Sequence, residues 1–134
     1  MRKNKIPLDK VQKAFNDAIK RRDCRCVVQD YEPCQGQLEC SHFFCVGSNP
    51  SLRFYPPNAY AQCQRHHWNH HNKKISFYEN WIVLYHPQDW LKMQNIRHRI
   101  IKYTDELKAE IISLCKADKL DELKDLIEKE LCNE

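Results

Sequence analysis

The chain has 134 residues, of which 30% are charged and only two are glycine, so a fibrous or low-complexity protein is excluded and one domain with a helical appendage is expected. The first residues contain no apolar signal segment, and no apolar run approaches the roughly 20 residues of a membrane span, so we expect a cytoplasmic protein without a membrane partner. Residues 1–103 hold 17 Lys and Arg against 8 Asp and Glu, whereas residues 104–134 hold 5 against 10.

The N-terminal segment, residues 1–23, is predicted to be a basic amphipathic helix. Apolar residues recur there at helical spacing, at Leu8, Val11, Phe15, Ala18 and Ile19. This spacing predicts a helix over residues 8–22 whose other face carries lysines. The arginines Arg21, Arg22 and Arg25 follow and are candidates for contacts with DNA phosphates, although a solvated charged face is an equally good interpretation.

The cysteines favour a zinc site. An even count of eight permits disulfides, but the cysteines cluster with histidines and no export signal precedes them, which favours zinc. One pair flanks a turn-like loop and a second pair has the spacing of a zinc knuckle. The predicted ligands of this structural zinc are Cys26, Cys34, Cys63 and His66. Cys24 or Cys40 can substitute in the first pair, and buried thiols without metal are the alternative.

The next segment, which holds five of the seven histidines, predicts two strands and a helix. Residues 38–44 are an apolar run with β-formers that ends at turn-forming residues, and residues 52–55 are predicted to be the returning strand. Residues 60–72 show no strand alternation, so a helix is expected to begin a few residues after Asn58. On that helix His67 and His71 are four residues apart and therefore project from one face.

This arrangement brings a strand histidine, His42, and the loop residue Asn58 towards the helix histidines. Arg53 lies between two apolar residues, where a structural strand rarely places a charge. It is predicted either to bind a scissile phosphate or to form an intramolecular salt bridge.

The order of SHFF, LRF and N-x4-C-x2-H-H resembles the HNH, or ββα-metal, endonucleases, and within them the phage recombination nucleases related to lambda NinG. The resemblance covers about residues 21–80. It implies an α+β protein with a small zinc-stapled ββα-metal core at residues 24–75, flanked by the N-terminal helix and a C-terminal helical region. It further implies that His42 is the general base, that Asn58 orients it, and that His67 and His71 hold a catalytic Mg²⁺ or Mn²⁺.

The implied activity is hydrolysis of DNA phosphodiester bonds, in phage recombination on branched or flapped DNA in a bacterial host. One departure favours an alternative, a zinc-stapled DNA-binding module without catalysis: Ser41 stands where HNH enzymes often have an Asp or His ligand. Strand alternation places Ser41 opposite to His42 and on the same face as Glu39, which is a possible outer-shell carboxylate.

The remaining chain is predicted to be helical. Residues 76–103 form a basic extension in which Ser76 caps a helix that ends before Pro87, followed by a second helix from Trp90 to Ile101. Lys73 and Lys74, just before it, are predicted to contact DNA. Residues 104–134 form an acidic helical hairpin whose two helices are capped by Thr104 and Asp118. This hairpin is expected to avoid DNA and either to dock on the core or to contact a partner; the sequence leaves the oligomeric state open, including a homodimer.

Overall fold

The computed structural model describes residues 5–72 and 77–132 and shows a helix-rich protein with one small sheet. The helices are α1 (Leu8–Asp23), α2 (Gln64–His71), α3 (Tyr78–Tyr85), α4 (Pro87–Ile96), α5 (Asp105–Lys116) and α6 (Leu120–Cys132). The strands are β1 (Leu38–His42) and β2 (Ala59–Cys63), and 3₁₀ turns lie at Pro50–Leu52 and Pro56–Asn58. Within the described ranges no helix combines the length and the apolarity that a membrane crossing requires.

Helix α1 confirms the predicted N-terminal helix. Its apolar stripe, Val11, Phe15, Ala18 and Ile19, is buried. The helix ends at Cys24, which adopts a left-handed conformation with φ of 64° and donates its backbone N–H to the carbonyl of Lys20. Such a left-handed residue closes many helices because it satisfies a carbonyl that the last turn leaves without a partner.

The sheet consists of β1 paired antiparallel with β2, in a register that runs from Leu38 opposite Cys63 to His42 opposite Ala59. The predicted returning strand at residues 52–55 is therefore wrong, because Leu52 ends the first 3₁₀ turn, the next three residues lead to the second turn, and the true second strand follows that turn. All five residues of β2 are buried. A strand buried on both faces shows no alternation of apolar and polar residues, and periodicity then cannot distinguish it from a helix.

Helices α3 and α4 form the segment after the described gap. As predicted, α3 ends before Pro87, but α4 begins at this proline rather than at Trp90 and ends at Ile96. Proline is favourable at the first helical position because its fixed φ suits the helix and its missing N–H has no partner there. The predicted cap at Ser76 lies outside the described residues.

The last two helices form the predicted hairpin. The hydroxyl of Thr104 accepts a hydrogen bond from the backbone N–H of Leu107 at 3.1 Å, which confirms it as the cap of α5. The prediction for Asp118 is wrong: this residue is left-handed, with φ of 57°, and α6 begins two residues later. Its carboxylate instead accepts a hydrogen bond from Nε of Arg21 at 2.8 Å.

The hairpin docks on the core, which was one of the two expected possibilities. A single hydrophobic cluster joins α1, the turn segment between the strands, α4 and both hairpin helices. Its members include Phe15, Phe54, Met93, Ile111 and Ile127. The hydroxyl of Tyr55 also donates a hydrogen bond to Glu128 of α6 at 2.5 Å. Residues 104–132 therefore help to hold the segment that connects the two strands.

Candidate functional site

The structure brings the four predicted zinc ligands together. The ligand atoms of Cys26, Cys34, Cys63 and His66 all lie within 4.8 Å of one another. Nδ1 of His66 lies 3.3 Å from Sγ of Cys26, 3.9 Å from Sγ of Cys34 and 3.2 Å from Sγ of Cys63. Three sulfurs and one imidazole nitrogen form a usual ligand set for tetrahedral zinc. The donor set therefore fits a structural zinc ion.

Backbone pairing of the loop that carries Cys34 places this cysteine beside the others. The backbone N–H groups of Gln64 and Arg65, at the start of α2, donate to the carbonyls of Gln37 and Gln35. Gly36 lies between these two carbonyls with φ of +87°, and a Cβ atom there would stand 2.3 Å from Oε1 of Gln64. Only glycine fits this close approach.

The other ring nitrogen of His66 supports the same assignment. Its Nε2 lies 3.3 Å from Oε2 of Glu32, so Nδ1 is the nitrogen that faces the sulfurs. This pair lacks hydrogen-bond geometry, but it places a carboxylate beside the ring nitrogen that points away from the cysteines. Burial lowers the pKa of His66, which favours the neutral form that a metal ligand requires.

Neither of the substitute cysteines belongs to this cluster. Cys24 is exposed at the end of α1 and its thiol donates to the carbonyl of Arg21 at 3.0 Å. Cys40 packs against the main hydrophobic cluster, where burial raises the pKa of its thiol to about 12.

The helix histidines His67 and His71 form a second group, on the other side of α2 from the buried His66. Their ring centroids lie 4.8 Å apart, as the spacing of four residues predicts. Nδ1 of His67 lies 2.8 Å from Oε1 of Glu39, and Gln64 donates a hydrogen bond to Oε2 of the same carboxylate at 3.2 Å. The hydrogen bond with His67 lowers the pKa of Glu39. Because an ionised carboxylate only accepts, Nδ1 carries the proton and Nε2 of His67 keeps its lone pair.

These groups border a cleft of about 440 Å³. Its lining residues are Glu39, Gln64, His67, Trp68, His71 and Asn72. Burial, together with the neighbouring histidines, lowers the pKa of His71 to about 4, so that its ring is neutral at physiological pH. Two imidazoles and a carboxylate therefore line one opening of the protein.

His42 lies at the end of β1 and is held from two sides. Its Nε2 donates to the backbone carbonyl of Arg53 at 2.9 Å, and its ring stacks on Phe15 with centroids 5.8 Å apart. Burial lowers its pKa to about 4, and the nearby charge of Arg53 acts in the same direction. At neutral pH the ring is uncharged, with the proton on Nε2 and the lone pair on Nδ1.

The direct orienting role implied for Asn58 is wrong, because the partner of His42 is the carbonyl of Arg53. The buried Asn58 side chain instead accepts a hydrogen bond from the N–H of Phe44 and donates to the carbonyls of Phe44 and Leu52. These hydrogen bonds hold the beginning and the end of the segment between β1 and β2 close together. Asn58 therefore acts on His42 only through the loop that presents the Arg53 carbonyl.

Two of the arginines that were predicted to bind phosphate form hydrogen bonds with other parts of the protein. Arg22 donates to the carboxylate of Asp23 and to the carbonyls of Pro56 and Ala59, and its guanidinium lies 4.4 Å from the centre of the Tyr60 ring. Arg21 pairs with Asp118 and the Cys115 carbonyl. Both arginines thus hold elements together, while the Arg21 side chain stays exposed, and their contact with DNA stays a prediction.

Arg53 forms no salt bridge within the described ranges, and its predicted contact with a phosphate stays a prediction. Its Nε donates to the neutral side chain of Gln12 at 2.7 Å, and its charge lies 5.5 Å from the centre of the Phe54 ring. Its backbone carbonyl, not its charge, contacts His42. Arg25 is exposed, and Lys73 and Lys74 lie outside the described residues.

Ser41 and His70, which neighbour the proposed site residues in the sequence, do not line the cleft. Ser41 is fully buried and receives a hydrogen bond on its backbone carbonyl from the hydroxyl of Tyr78. His70 stacks on Phe43 and bonds to its carbonyl at 2.9 Å. The cleft lining therefore includes neither of them, whereas Glu39 lines it and contacts His67 directly.

Comparison with known proteins gives one match. The family model described as "Bacteriophage Lambda NinG protein" matches residues 1–127. No curated protein and no solved structure matches the chain. Since the family match extends over nearly the whole sequence, this chain belongs to the bacteriophage lambda NinG protein family.

Proposed function

We propose that this protein is a divalent-metal-dependent endonuclease of the HNH type that hydrolyses phosphodiester bonds in DNA. The observation that carries the proposal is His42, a half-buried imidazole with a pKa of about 4 whose Nε2–H is bound to the Arg53 carbonyl. This leaves Nδ1 ready to take a proton at neutral pH. The order β1, β2, α2 supports the HNH assignment.

In this mechanism His42 removes a proton from the attacking water. Proton transfer requires the imidazole in one tautomer and one direction, and the Arg53 carbonyl fixes both. Asn58 holds the segment that presents this carbonyl, and Phe15 supports the face of the ring. A general base placed in this way contributes roughly 10²–10⁴-fold to the rate.

The catalytic ion would be held by His67 and His71. The carboxylate of Glu39 would hold the ring of His67 through the hydrogen bond at Nδ1. Neutral imidazoles with a neighbouring carboxylate suit Mn²⁺, whereas Mg²⁺ prefers oxygen and would need water and phosphate oxygens for its other positions. When bound, the ion would stabilise the negative charge that develops on the phosphate and on the leaving oxygen. The carboxylate of Glu39 keeps the proton of His67 on Nδ1 and so directs the lone pair on Nε2 away from itself.

The zinc cluster supports this site structurally. It joins the segment after α1 and the Cys34 loop to Cys63 and His66, at the beginning of α2. His67 follows His66 directly on that helix. Zinc binding therefore stabilises the helix that presents the catalytic histidines.

Membership of the lambda NinG family supports a bacteriophage role. The resemblance of the sequence to phage recombination nucleases extends this proposal to recombination in the host cytoplasm, on branched or flapped DNA. The excess of cations in residues 1–103 supports DNA as the partner. Among the described arginines of this region, Arg25 is exposed, whereas Arg21 and Arg22 also form contacts within the protein.

Cleavage of flapped and branched DNA by zinc-loaded protein, with supercoiled plasmid and linear duplex as comparisons, tests the proposal. Mn²⁺ or Mg²⁺ should support cutting of the flapped or branched DNA by the wild type, and His42→Ala should nearly abolish it. Folded, zinc-loaded wild-type protein that binds these DNAs without cutting any of them in either ion would overturn the nuclease assignment. It would favour the zinc-stapled DNA-binding module, which is supported by the lack of a carboxylate at Ser41.

A further inference from the structure

The indole of Trp68 has no evident role in the fold. It is 56% exposed, and among the described residues it belongs to none of the three hydrophobic clusters. Trp81 and Trp90, by contrast, pack against a buried cluster. A large exposed aromatic ring outside the core points to recognition rather than to stability.

The position of Trp68 relates it to the proposed active site. It follows His67 on α2, precedes His71 by one helical turn, and lines the same cleft as both. The amide of Asn72 donates to the Trp68 carbonyl at 2.8 Å and closes the end of the helix. The indole is therefore carried on an ordered turn beside the place where the reacting phosphate would be bound.

An exposed indole at this place suits one kind of ligand. Aromatic rings bind unpaired bases by stacking, and every base offers a face for this contact. In an intact duplex both faces of each base are covered by its neighbours, so only an unpaired or extruded base can stack on a protein ring.

We propose that Trp68 stacks on an unpaired base that adjoins the phosphate to be cut, so that the protein selects DNA with unpaired nucleotides at the cleavage point. This inference rests on the proposed nuclease function, because that function places the DNA in the cleft. Trp68 is then a specificity-determining residue, and His42, His67 and His71 act on the phosphate.

A measurement of DNA binding by a protein that cannot cut separates the role of Trp68 from catalysis. Full-length protein in a His42→Ala background, with zinc retained and no chelator, is titrated against a labelled duplex, a duplex with a single-stranded flap, and a single strand. Trp68→Ala should weaken binding of the flap and the single strand by roughly 5- to 100-fold. Duplex binding should stay the same, and Trp68→Phe should restore most of the loss.

Tyr85→Ala is the matched control, since Tyr85 is 62% exposed but does not line the cleft. It should bind all three DNAs as the parent protein does. Equal affinity of Trp68→Ala and its parent for the flap, or an equal loss for duplex and flap, would overturn the stacking proposal. If the wild type cuts no DNA but Trp68→Ala still loses only unpaired DNA, the nuclease assignment fails and the stacking contact stands.

Discussion

Glu39 of β1 and His67 of α2 meet across the cleft, with Oε1 of the carboxylate 2.8 Å from Nδ1 of the imidazole. Strand and helix are thereby joined at the residue proposed to hold the catalytic ion. The contact sets the tautomer of the ring and so decides which nitrogen can bind a metal.

Replacing Glu39 should weaken metal binding at the cleft. Glu39→Ala is expected to lower Mn²⁺ affinity by roughly 10- to 100-fold, because the proton of His67 is then no longer held on Nδ1. Glu39→Gln, which keeps an acceptor oxygen, should lose less. Isothermal titration with Mn²⁺ on zinc-loaded protein measures both, and Glu110→Ala on α5 is the surface control. Unchanged affinity in Glu39→Ala would separate this carboxylate from the metal site.

Loss of one zinc ligand should destabilise the whole fold. Cys34 and Cys132 are both exposed, but only Cys34 belongs to the cluster, so the pair of serine variants is closely matched. Cys34→Ser should release zinc and lower the melting temperature by roughly 10 °C or more, because the energy of zinc binding is folding energy. Cys132→Ser should change neither. Metal analysis and thermal unfolding test this, and equal behaviour of the two variants would contradict a structural zinc.

His42→Ala should reduce the rate and leave metal binding intact. The expected loss is roughly 10²–10⁴-fold in single-turnover cleavage, which is the range for a general base. Mn²⁺ affinity should stay near that of the wild type, whereas His67→Ala should lose both affinity and rate. A His42→Ala protein that binds Mn²⁺ as poorly as His67→Ala would make His42 a ligand rather than the base.

The hydrogen bond from Tyr55 to Glu128 should make stability depend on pH. Burial opposes ionisation of Glu128, but hydrogen bonds from Tyr55 and Lys124 outweigh it and hold the pKa below its ordinary value of 4.5. The stabilisation is therefore present above pH 4.5 and is lost as the pH falls through the folded pKa. Tyr55→Phe should cost about 1.5–3 kcal/mol at pH 7 and distinctly less at pH 3.5, measured by urea unfolding.

The control for this effect is Tyr103→Phe. Its hydroxyl donates to the neutral carbonyl of Pro50 at 2.7 Å, so its loss should cost the same at both pH values. A Tyr55→Phe penalty that is equally independent of pH would show that the charge of Glu128 contributes nothing to the bond.

An aspartate at position 41 should not repair the metal site. Ser41 is fully buried, so Ser41→Asp would place a carboxylate in the interior and should cost at least roughly 2 kcal/mol. Ser41→Ala is the control and should be nearly neutral, since Oγ has no hydrogen-bond partner in the described part of the chain. Urea unfolding and Mn²⁺ titration measure both variants. A stable Ser41→Asp protein with tighter Mn²⁺ binding would place position 41 next to the ion.

The sequence predicts those features of the site that depend on local spacing. His67 and His71 lie four residues apart on one helix, so their separation fixes their relative positions, and Cys63 caps the same helix three residues before His66. The choice of Cys34 over Cys40 depended instead on the backbone bonds of a loop, and no periodicity reports these.

The errors have a common physical origin. Residues 52–55 alternate like a strand, but they contact the core from a turn and use their carbonyls to hold His42 and Asn58. Arg21 and Arg22 have charges that suit phosphate, and the sequence does not reveal that both also form contacts between elements. A count of charges does not distinguish cations that join elements from cations that are available to DNA.

The single hydrophobic cluster that includes the acidic hairpin has a practical consequence for fragment design. A fragment that stops at residue 103 would expose the faces of α1 and of the turn segment that now contact α5 and α6. It would also remove Glu128, the partner of Tyr55, from the segment that carries the Arg53 carbonyl. The acidic hairpin is thus part of the core of the protein, and limited proteolysis of the native protein should not release a compact fragment that lacks it.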